Sequence, residues 1–125
     1  MIRGIVAGLI AYAISGKLGL YLLQLCWSAY ETHSADRSYT LSMLLARLFV
    51  GTLAAIAAGV AATKFARDKG RTALLVGLLA FSGGAYVHFL TDTWTAYPIW
   101  YHLAYVLPII PVTGLGGYLA HSKLS

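Results

Sequence analysis

Three residues in the second half of the chain could bind a metal ion or carry a proton. His88 and Asp92 are four residues apart and share one face of a predicted helix. A short connection follows, so His102 in the next helix should return to a similar depth, and His33 is predicted on the same side. Two imidazoles and a carboxylate can hold zinc or another transition metal, and two imidazoles can hold haem. Because no tight signature such as H-E-x-x-H is present, we interpret these residues first as hydrogen-bonded side chains, and metal, proton or haem binding stays open.

Polar side chains also follow one face of the first apolar segment, in steps of four and three residues that match a helix. They are Lys17, Tyr21, Gln24, Ser28 and Glu31. Lys17 lies near the middle of the segment, where a charge is costly in lipid and indicates a candidate functional site. One interpretation is that this stripe joins the first helix to backbone carbonyls of the fourth. The other is a polar path for ions, protons or a solute, which Arg47 would extend.

Arg47 lies six residues into the second apolar segment, about 9 Å from its outer boundary. It shares its face with small residues, so we predict that it points inward. Glu31 and Asp92 are the acidic residues within reach, and the sequence predicts an ion pair with one of them near the outer rim.

The composition indicates that lipid surrounds these segments. Of the 125 residues, 59% are hydrophobic and 10% are charged, against about 45–50% and about 25% in soluble domains. A chain this small has too little interior to hide that much apolar surface from water. The net charge of +5 could indicate nucleic acid, but four of the nine basic residues fall in one polar break, as in a positive-inside loop. We therefore expect the lipid bilayer as a partner and no nucleic acid.

Four segments are long and apolar enough to cross a bilayer, which takes about 20 residues. We place them at about residues 5–29, 41–63, 73–91 and 100–119. Short connections make successive helices antiparallel neighbours. The predicted fold is therefore an all-α membrane protein, with one domain over residues 1–125 and four transmembrane helices in an up-down-up-down bundle. Pro108 and Pro111 each lack an N–H donor, so we expect them to kink the fourth helix.

Basic and aromatic residues predict the orientation of the bundle. Arg3, the basic cluster at residues 64–71 and Lys123 lie on one side, which should face the cytoplasm together with both termini. Aromatic rings collect on the opposite side, because amphipathic rings prefer the headgroup level. The predicted aromatic belt consists of Trp27, Trp94, Trp100 and Tyr101, with Tyr30, Tyr39 and Tyr97 beside them. These features are typical of a multi-pass protein of the bacterial inner membrane.

Small residues in the second segment form a ridge suited to close helix packing. Gly51, Ala55 and Gly59 recur every four residues, which lets another backbone approach where lipid gives helices no hydrophobic reason to associate. The ridge predicts either a seam within the chain or an interface between copies, and the sequence leaves both open.

The sequence favours a function without catalysis. It contains no glycine-rich phosphate loop, no G-x-S-x-G and no pair of catalytic carboxylates, so we expect neither an enzyme nor a cofactor. The leading interpretation is a small membrane protein that acts by helix packing, as a homo-oligomer or as an accessory subunit of a membrane complex. The alternatives are a small transporter or channel for ions, protons or a solute that uses Lys17, Gln24, Glu31 and Arg47, and a metal- or haem-binding membrane protein.

Two stretches carry a resemblance. Residues 39–51 (YTLSMLLARLFVG) contain an M-L-x-A-R-L element, and residues 87–102 (VHFLTDTWTAYPIWYH) contain a P-x-W-Y-H element. With these elements the chain resembles a group of small uncharacterised four-span bacterial inner-membrane proteins. The shared positions are Arg47, His88, Pro98, Trp100, Tyr101 and His102. The resemblance implies a bacterial origin and a site on the outer side, and it implies no activity.

Overall fold

The computed structural model describes residues 1–30, 32, 39–68 and 70–124, and these residues contain helices and turns but no strand. The helices are α1 (Ile2–Cys26), α2 (Leu41–Ala66), α3 (Arg71–Leu90), α4 (Thr93–Ala96), α5 (Ile99–Val106) and α6 (Ile109–Leu124). Four stretches are long and apolar enough to cross a membrane: α1, α2, α3 and the combined stretch Ile99–His121. The predicted all-α fold with four candidate spans is confirmed.

The helices end a few residues away from the predicted segment boundaries, because backbone geometry rather than hydropathy ends a helix. α1 stops before Trp27, whose backbone is extended (φ −136°, ψ 95°). α2 continues through polar residues and stops before Arg67, which has a left-handed backbone (φ 56°). Gly70 precedes α3 with φ 99°, a conformation that glycine adopts without the steric cost of a Cβ.

One carboxylate holds the turn between α2 and α3. Asp68 accepts hydrogen bonds from the N–H groups of Gly70 (3.0 Å) and Thr72 (3.1 Å) and from the Thr72 hydroxyl (2.5 Å). These bonds occupy amides that have no partner within the helix. Burial disfavours the charged carboxylate, but the hydrogen bonds outweigh it, and the pKa of Asp68 is lowered below its ordinary value.

The fourth candidate span consists of two helices, α5 and α6, separated by Leu107 and Pro108. The Pro108 carbonyl accepts a hydrogen bond from the N–H of Val112 (2.9 Å) and so begins α6. Pro111 then falls in the first turn of α6, where its missing N–H would have had no partner within the helix. The helix is therefore interrupted at the first of the two prolines, and the predicted kink stays a prediction.

Glycines set the distance between α1 and its neighbours. A Cβ added to Gly4 would lie 2.6 Å from the carbonyl oxygen of Ala62, and one added to Gly19 would lie 2.5 Å from Cγ1 of Val50. Residue numbers thus rise along α1 as they fall along α2, so the two helices run in opposite directions, as an up-down order requires. α1 also packs against α3. The core between α2 and α3 consists of Ala58, Ala62, Ala73 and Val76.

The small-residue ridge of α2 lies at a seam within the chain. A Cβ added to Gly59 would clash with the carbonyl oxygen of Thr113 in α6. Gly51 faces the Tyr105 ring of α5, with 3.1 Å from an added Cβ to the ring edge, and Ala55 is buried. Of the two interpretations of the ridge, the structure shows the seam inside one chain.

Candidate functional site

Four tyrosines surround Arg47 at one end of the bundle. Nη1 of Arg47 donates to the hydroxyls of Tyr30 (2.7 Å) and Tyr39 (3.4 Å), and Nε donates to the hydroxyl of Tyr101 (3.0 Å). The guanidinium carbon lies 4.8 Å from the ring centroid of Tyr39 and 5.4 Å from that of Tyr97, within cation–π range. We call Tyr30, Tyr39, Tyr97 and Tyr101 the tyrosine cage.

The cage joins parts of the chain that are far apart in sequence. Tyr30 follows α1, Tyr39 precedes α2, Tyr97 precedes α5 and Tyr101 belongs to α5. The rings of Tyr39 and Tyr97 are stacked, 5.7 Å apart and 7° from parallel. Burial raises the pKa of Tyr97 to about 12 and raises that of Tyr30 above its ordinary value. At neutral pH these hydroxyls are therefore protonated, and they offer Arg47 neutral oxygens rather than negative charge.

The predicted ion pair of Arg47 with Glu31 or Asp92 stays a prediction. Glu31 lies outside the residues that the structure describes, and the contacts found for Arg47 are with the tyrosine cage. Tyr101, predicted as a lipid-facing member of the aromatic belt, is 1% exposed because its hydroxyl binds Arg47. By contrast, Trp94 and Trp100 are exposed and Trp27 is half-buried.

His88 and His102 lie next to the cage and form a pair. Their Nδ1 atoms are 2.8 Å apart, and Nε2 of His102 is 3.1 Å from the carbonyl oxygen of Trp94. His102 is fully buried and His88 is 7% exposed. The indole of Trp94 stacks on the His102 ring (centroids 5.0 Å apart, 17°), and the ring of Tyr105 stacks on that of His88 (4.7 Å, 28°). α3 and α5 thus bring together two histidines that are fourteen residues apart in the sequence.

The partners of the pair define where its protons lie. A carbonyl oxygen only accepts, so Nε2 of His102 carries a hydrogen. In the neutral ring, Nδ1 of His102 is then an acceptor, and Nδ1 of His88 must be the donor. Nε2 of His88 is therefore left with an unprotonated lone pair. His88 is the member that can accept a further proton or a hydrogen bond from a ligand.

A metal ion does not fit between the two histidines in this arrangement. Both Nδ1 atoms are engaged with each other, and at 2.8 Å they are closer than two ligand nitrogens of one tetrahedral zinc ion, which lie about 3.3 Å apart. Within the described ranges, no three or more His, Cys, Asp or Glu side chains form a group that could hold a metal ion. Asp92 precedes α4, and His33 lies outside those ranges. A metal or haem site that draws on them stays a prediction.

Three members of the polar stripe of α1 lie on its exposed surface. Lys17 and Tyr21 are exposed, as is Ser28, whereas Gln24 is half-buried. None of the residues that the structure describes accepts a hydrogen bond from Lys17. Glu31, the last residue of the stripe, is outside the described part.

The glycines of α1 decide which of its faces meets α2 and α3, and a contact between the polar stripe and the fourth helix stays a prediction. A Cβ added to Gly8 would lie 2.8 Å from Cγ2 of Val76 and 3.1 Å from the carbonyl oxygen of Ala58. Gly8 therefore faces α2 and α3. Lys17 is nine residues further on, which is two and a half helical turns, and so lies on the opposite face.

Sequence reasoning missed the tyrosine cage. It assigned Tyr30, Tyr39 and Tyr97 to the aromatic belt. An amphipathic ring at the end of a segment can lie at the headgroup level or contact a buried arginine equally well. The available signal was Arg47 itself, because a buried guanidinium has five N–H donors that need acceptors. Tyrosines outnumber acidic residues at that end of the bundle.

No protein-family model matches this chain, and no curated protein or solved structure matches it significantly. The resemblance to small four-span inner-membrane proteins stays a prediction.

Proposed function

We propose that this protein is an accessory subunit of a complex in the bacterial inner membrane, where it acts by packing its first helix against a different membrane protein. The observation that supports this proposal is Lys17, which is exposed on the outward face of α1. It lies nine residues before the end of α1 at Cys26, about 13 Å along the axis. That distance is too long for the lysine side chain alone to bring its ammonium group to the headgroups.

A charge at such a position needs a partner. On insertion scales, a lysine at the centre of a lipid-facing helix costs about 3 kcal/mol. An acidic side chain on a neighbouring helix would offset that cost, and Tyr21, one turn further along the same face, is also exposed. We therefore assign the outward face of α1, defined by Lys17 and Tyr21, as the docking surface.

A second copy of the chain does not supply the acid. The chain contains four acidic residues, and none falls within the four candidate spans; they are Glu31, Asp36, Asp68 and Asp92. The ridge that could have joined two copies is already used between α2 and α6. Both observations favour a hetero-complex over a homo-oligomer, and a partner that carries Asp or Glu within a transmembrane helix.

We also propose that both termini and the turn at Asp68 face the cytoplasm, as the positive-inside rule predicts. The tyrosine cage and the histidine pair would then lie at the outer surface. The transport alternative gains no support, because Lys17 and Tyr21 lie on the outside of the bundle instead of lining a path through it.

The experiment is native purification of the tagged full-length protein in mild detergent, followed by mass spectrometry of what copurifies. We expect a membrane protein with an acidic residue inside a span, retained by Ile14→Met and lost from Lys17→Met. Ile14 is the matched control, since it is also exposed on α1. A charge exchange, with Lys17→Asp in this chain and the partner's acid changed to lysine, should restore the complex.

A monodisperse monomer without a partner would refute the proposal. So would a partner that Lys17→Met retains to the same extent as Ile14→Met does.

A further inference from the structure

We propose that the groove beside His88 binds a membrane-dissolved quinol, whose ring hydroxyl donates a hydrogen bond to Nε2 of His88. The groove has a volume of about 420 Å³ and lies between α1, α3 and α5. That volume is within the range of small-molecule sites, about 300–1,000 Å³. Residues that line it include Leu9, Tyr12, Leu79, Gly83, His88 and Tyr105. This inference is independent of the proposal about Lys17.

The first support is the free lone pair of His88. Its Nδ1 is committed to His102, and the Trp94 carbonyl fixes the direction of that hydrogen bond. Nε2 of His88 has no hydrogen-bond partner among the described residues, and His88 is one of the groove-lining side chains. This nitrogen opens into the groove, where lipid chains offer it no donor, and an acceptor left without a partner away from water costs about 1–3 kcal/mol. A ligand that donates a hydrogen bond there removes this cost, and a ligand without a donor does not.

The second support is Gly83. A glycine within a helix is destabilising by roughly 0.5–1 kcal/mol relative to alanine, and elsewhere in α3 close packing explains it. A Cβ added to Gly77 would lie 3.2 Å from the backbone of Ile110, whereas one added to Gly83 would have no described atom within 4 Å. No neighbouring helix therefore requires glycine at Gly83. Without a side chain at Gly83, the backbone of α3 forms a flat surface in the groove against which a ring can pack.

The third support is how polarity is distributed along the groove. His88 is two residues before the end of α3, and Leu79 is nine residues deeper, which is about 13 Å. Along α3, the imidazole of His88 thus lies toward the membrane surface and the apolar side chain of Leu79 lies deeper, and the hydroxyl-bearing rings of Tyr12 and Tyr105 complete the polar part of the lining. A quinol has the same layout, with hydroxyls on a ring at one end and an apolar tail at the other.

The chemistry of the lining favours an uncharged ligand. No described residue that lines this groove carries a formal charge. A second groove, between α1 and α2, differs because Arg3 is part of its lining together with Ala61 and Phe65. A phospholipid with a negative headgroup fits that second groove better, so an acyl lipid is not the ligand that we assign to the groove at His88.

The test uses Trp94 as a reporter, because its indole stacks on His102 within the pair. A full-length Trp27→Phe, Trp100→Phe variant in lipid nanodiscs is titrated with a decyl-substituted benzoquinol and with the matching quinone. We expect saturable quenching of Trp94, with at least about tenfold tighter binding of the quinol, the difference made by one hydrogen bond. His88→Phe should abolish this preference.

Gly83→Leu fills the groove at His88, and Ala61→Leu is the matched control because it fills the other groove. Gly83→Leu should weaken quinol binding at least about tenfold while thermal unfolding stays close to that of the control. Equal affinity for quinol and quinone overturns the proposal. So does unchanged binding in Gly83→Leu, or decane competing as well as the quinol, since decane has no hydrogen-bond donor and that outcome indicates a groove for alkyl chains only.

Discussion

Two cations, Lys17 and Arg47, lie more than five residues from either end of a candidate span, and their surroundings in the fold differ. Arg47 in α2 is half-buried and donates three hydrogen bonds to tyrosine hydroxyls, with two rings close to its guanidinium group. Lys17 in α1 is exposed, and within the described part of the chain it has no such partner. One cation is satisfied by its own chain, and the other is presented outward.

This difference distinguishes a charge that the fold uses from a charge that we propose binds a partner. The chain encloses Arg47 with residues from four places in the sequence, so its charge contributes to the fold of one end of the bundle. For Lys17 no comparable enclosure is present among the described residues, although it lies nine residues from the nearer end of its helix and Arg47 lies only six. A costly exposed charge is therefore a better guide to an external partner than a costly charge that the fold already satisfies.

The largest expected effect is that of Arg47→Met. It leaves buried hydroxyls without their donor, and hydrogen bonds to a charged group are worth about 1.5–3 kcal/mol each. Since such losses do not add fully, we expect the free energy of unfolding to fall by about 3 kcal/mol, measured by denaturant-induced loss of helical circular dichroism in mild detergent. Arg47→Lys should recover only part of the loss, because an ammonium group lacks the planar fork. Wild-type stability in Arg47→Met would show that the cage does not hold the fold together.

The next effect concerns two glycines, one inside the bundle and one open to lipid. Gly59→Ala introduces a clash with the Thr113 carbonyl, and overpacking of this kind costs about 1–3 kcal/mol. Gly83→Ala meets no described neighbour and should stabilise the fold by roughly 0.5–1 kcal/mol. The same unfolding measurement checks both. A similar destabilisation in the two variants would contradict the distinction between seam and groove.

Asp68→Ala should have a smaller effect, about 1 kcal/mol at pH 7, as for the loss of a helix cap. The pKa of Asp68 is lower in the folded chain than the value of about 3.9 that an aspartate has when unfolded. Its contribution is therefore complete well above pH 4 and is lost as the pH falls through the folded-state pKa. The difference between the unfolding midpoints of wild type and Asp68→Ala should narrow as the pH is lowered from 7 toward 3. A constant difference over that range would show that charge is not involved.

The smallest effect is that of Lys17→Met on the isolated chain. Because Lys17 is exposed and has no hydrogen bond or ion pair with the described residues, we expect a change in the free energy of unfolding within about 0.5 kcal/mol, typical of surface positions, in the same detergent assay. Set beside Arg47→Met, this result sharpens the comparison of the two cations. A large loss of stability in Lys17→Met would assign this cation to the fold as well.

The four candidate spans, and the proximity of His88 to His102, could both be predicted from the sequence. Hydropathy identifies the spans, because burying apolar segments in lipid depends on their length more than on their neighbours. A short hairpin returns two positions to the same depth, which is how His88 and His102 could be placed together. Helical periodicity also identified the stripe that contains Lys17. Periodicity alone did not show whether another helix of the chain covers that face. The glycines on the opposite side of α1 decide which helices pack against it.

The tyrosine cage was beyond sequence reasoning for another reason. A tyrosine at the end of a span satisfies the same preferences whether it faces lipid headgroups or an arginine. Only the packing of the connections around α4 and α5 decides that Tyr97 stacks on Tyr39. The unprotonated Nε2 of His88 could not be predicted from the sequence either, because it depends on the direction in which the carbonyl of Trp94 points.

The cage has a consequence for the ionic conditions that the protein tolerates. Dissolved salt weakens attraction between opposite charges, and at 0.15 M its screening acts beyond about 8 Å. The guanidinium of Arg47 is instead held by neutral hydroxyls and ring faces at 2.7–5.4 Å, so mobile ions have no countercharge within the cage to replace. This end of the bundle should therefore keep its arrangement in dilute buffer and in concentrated brine alike.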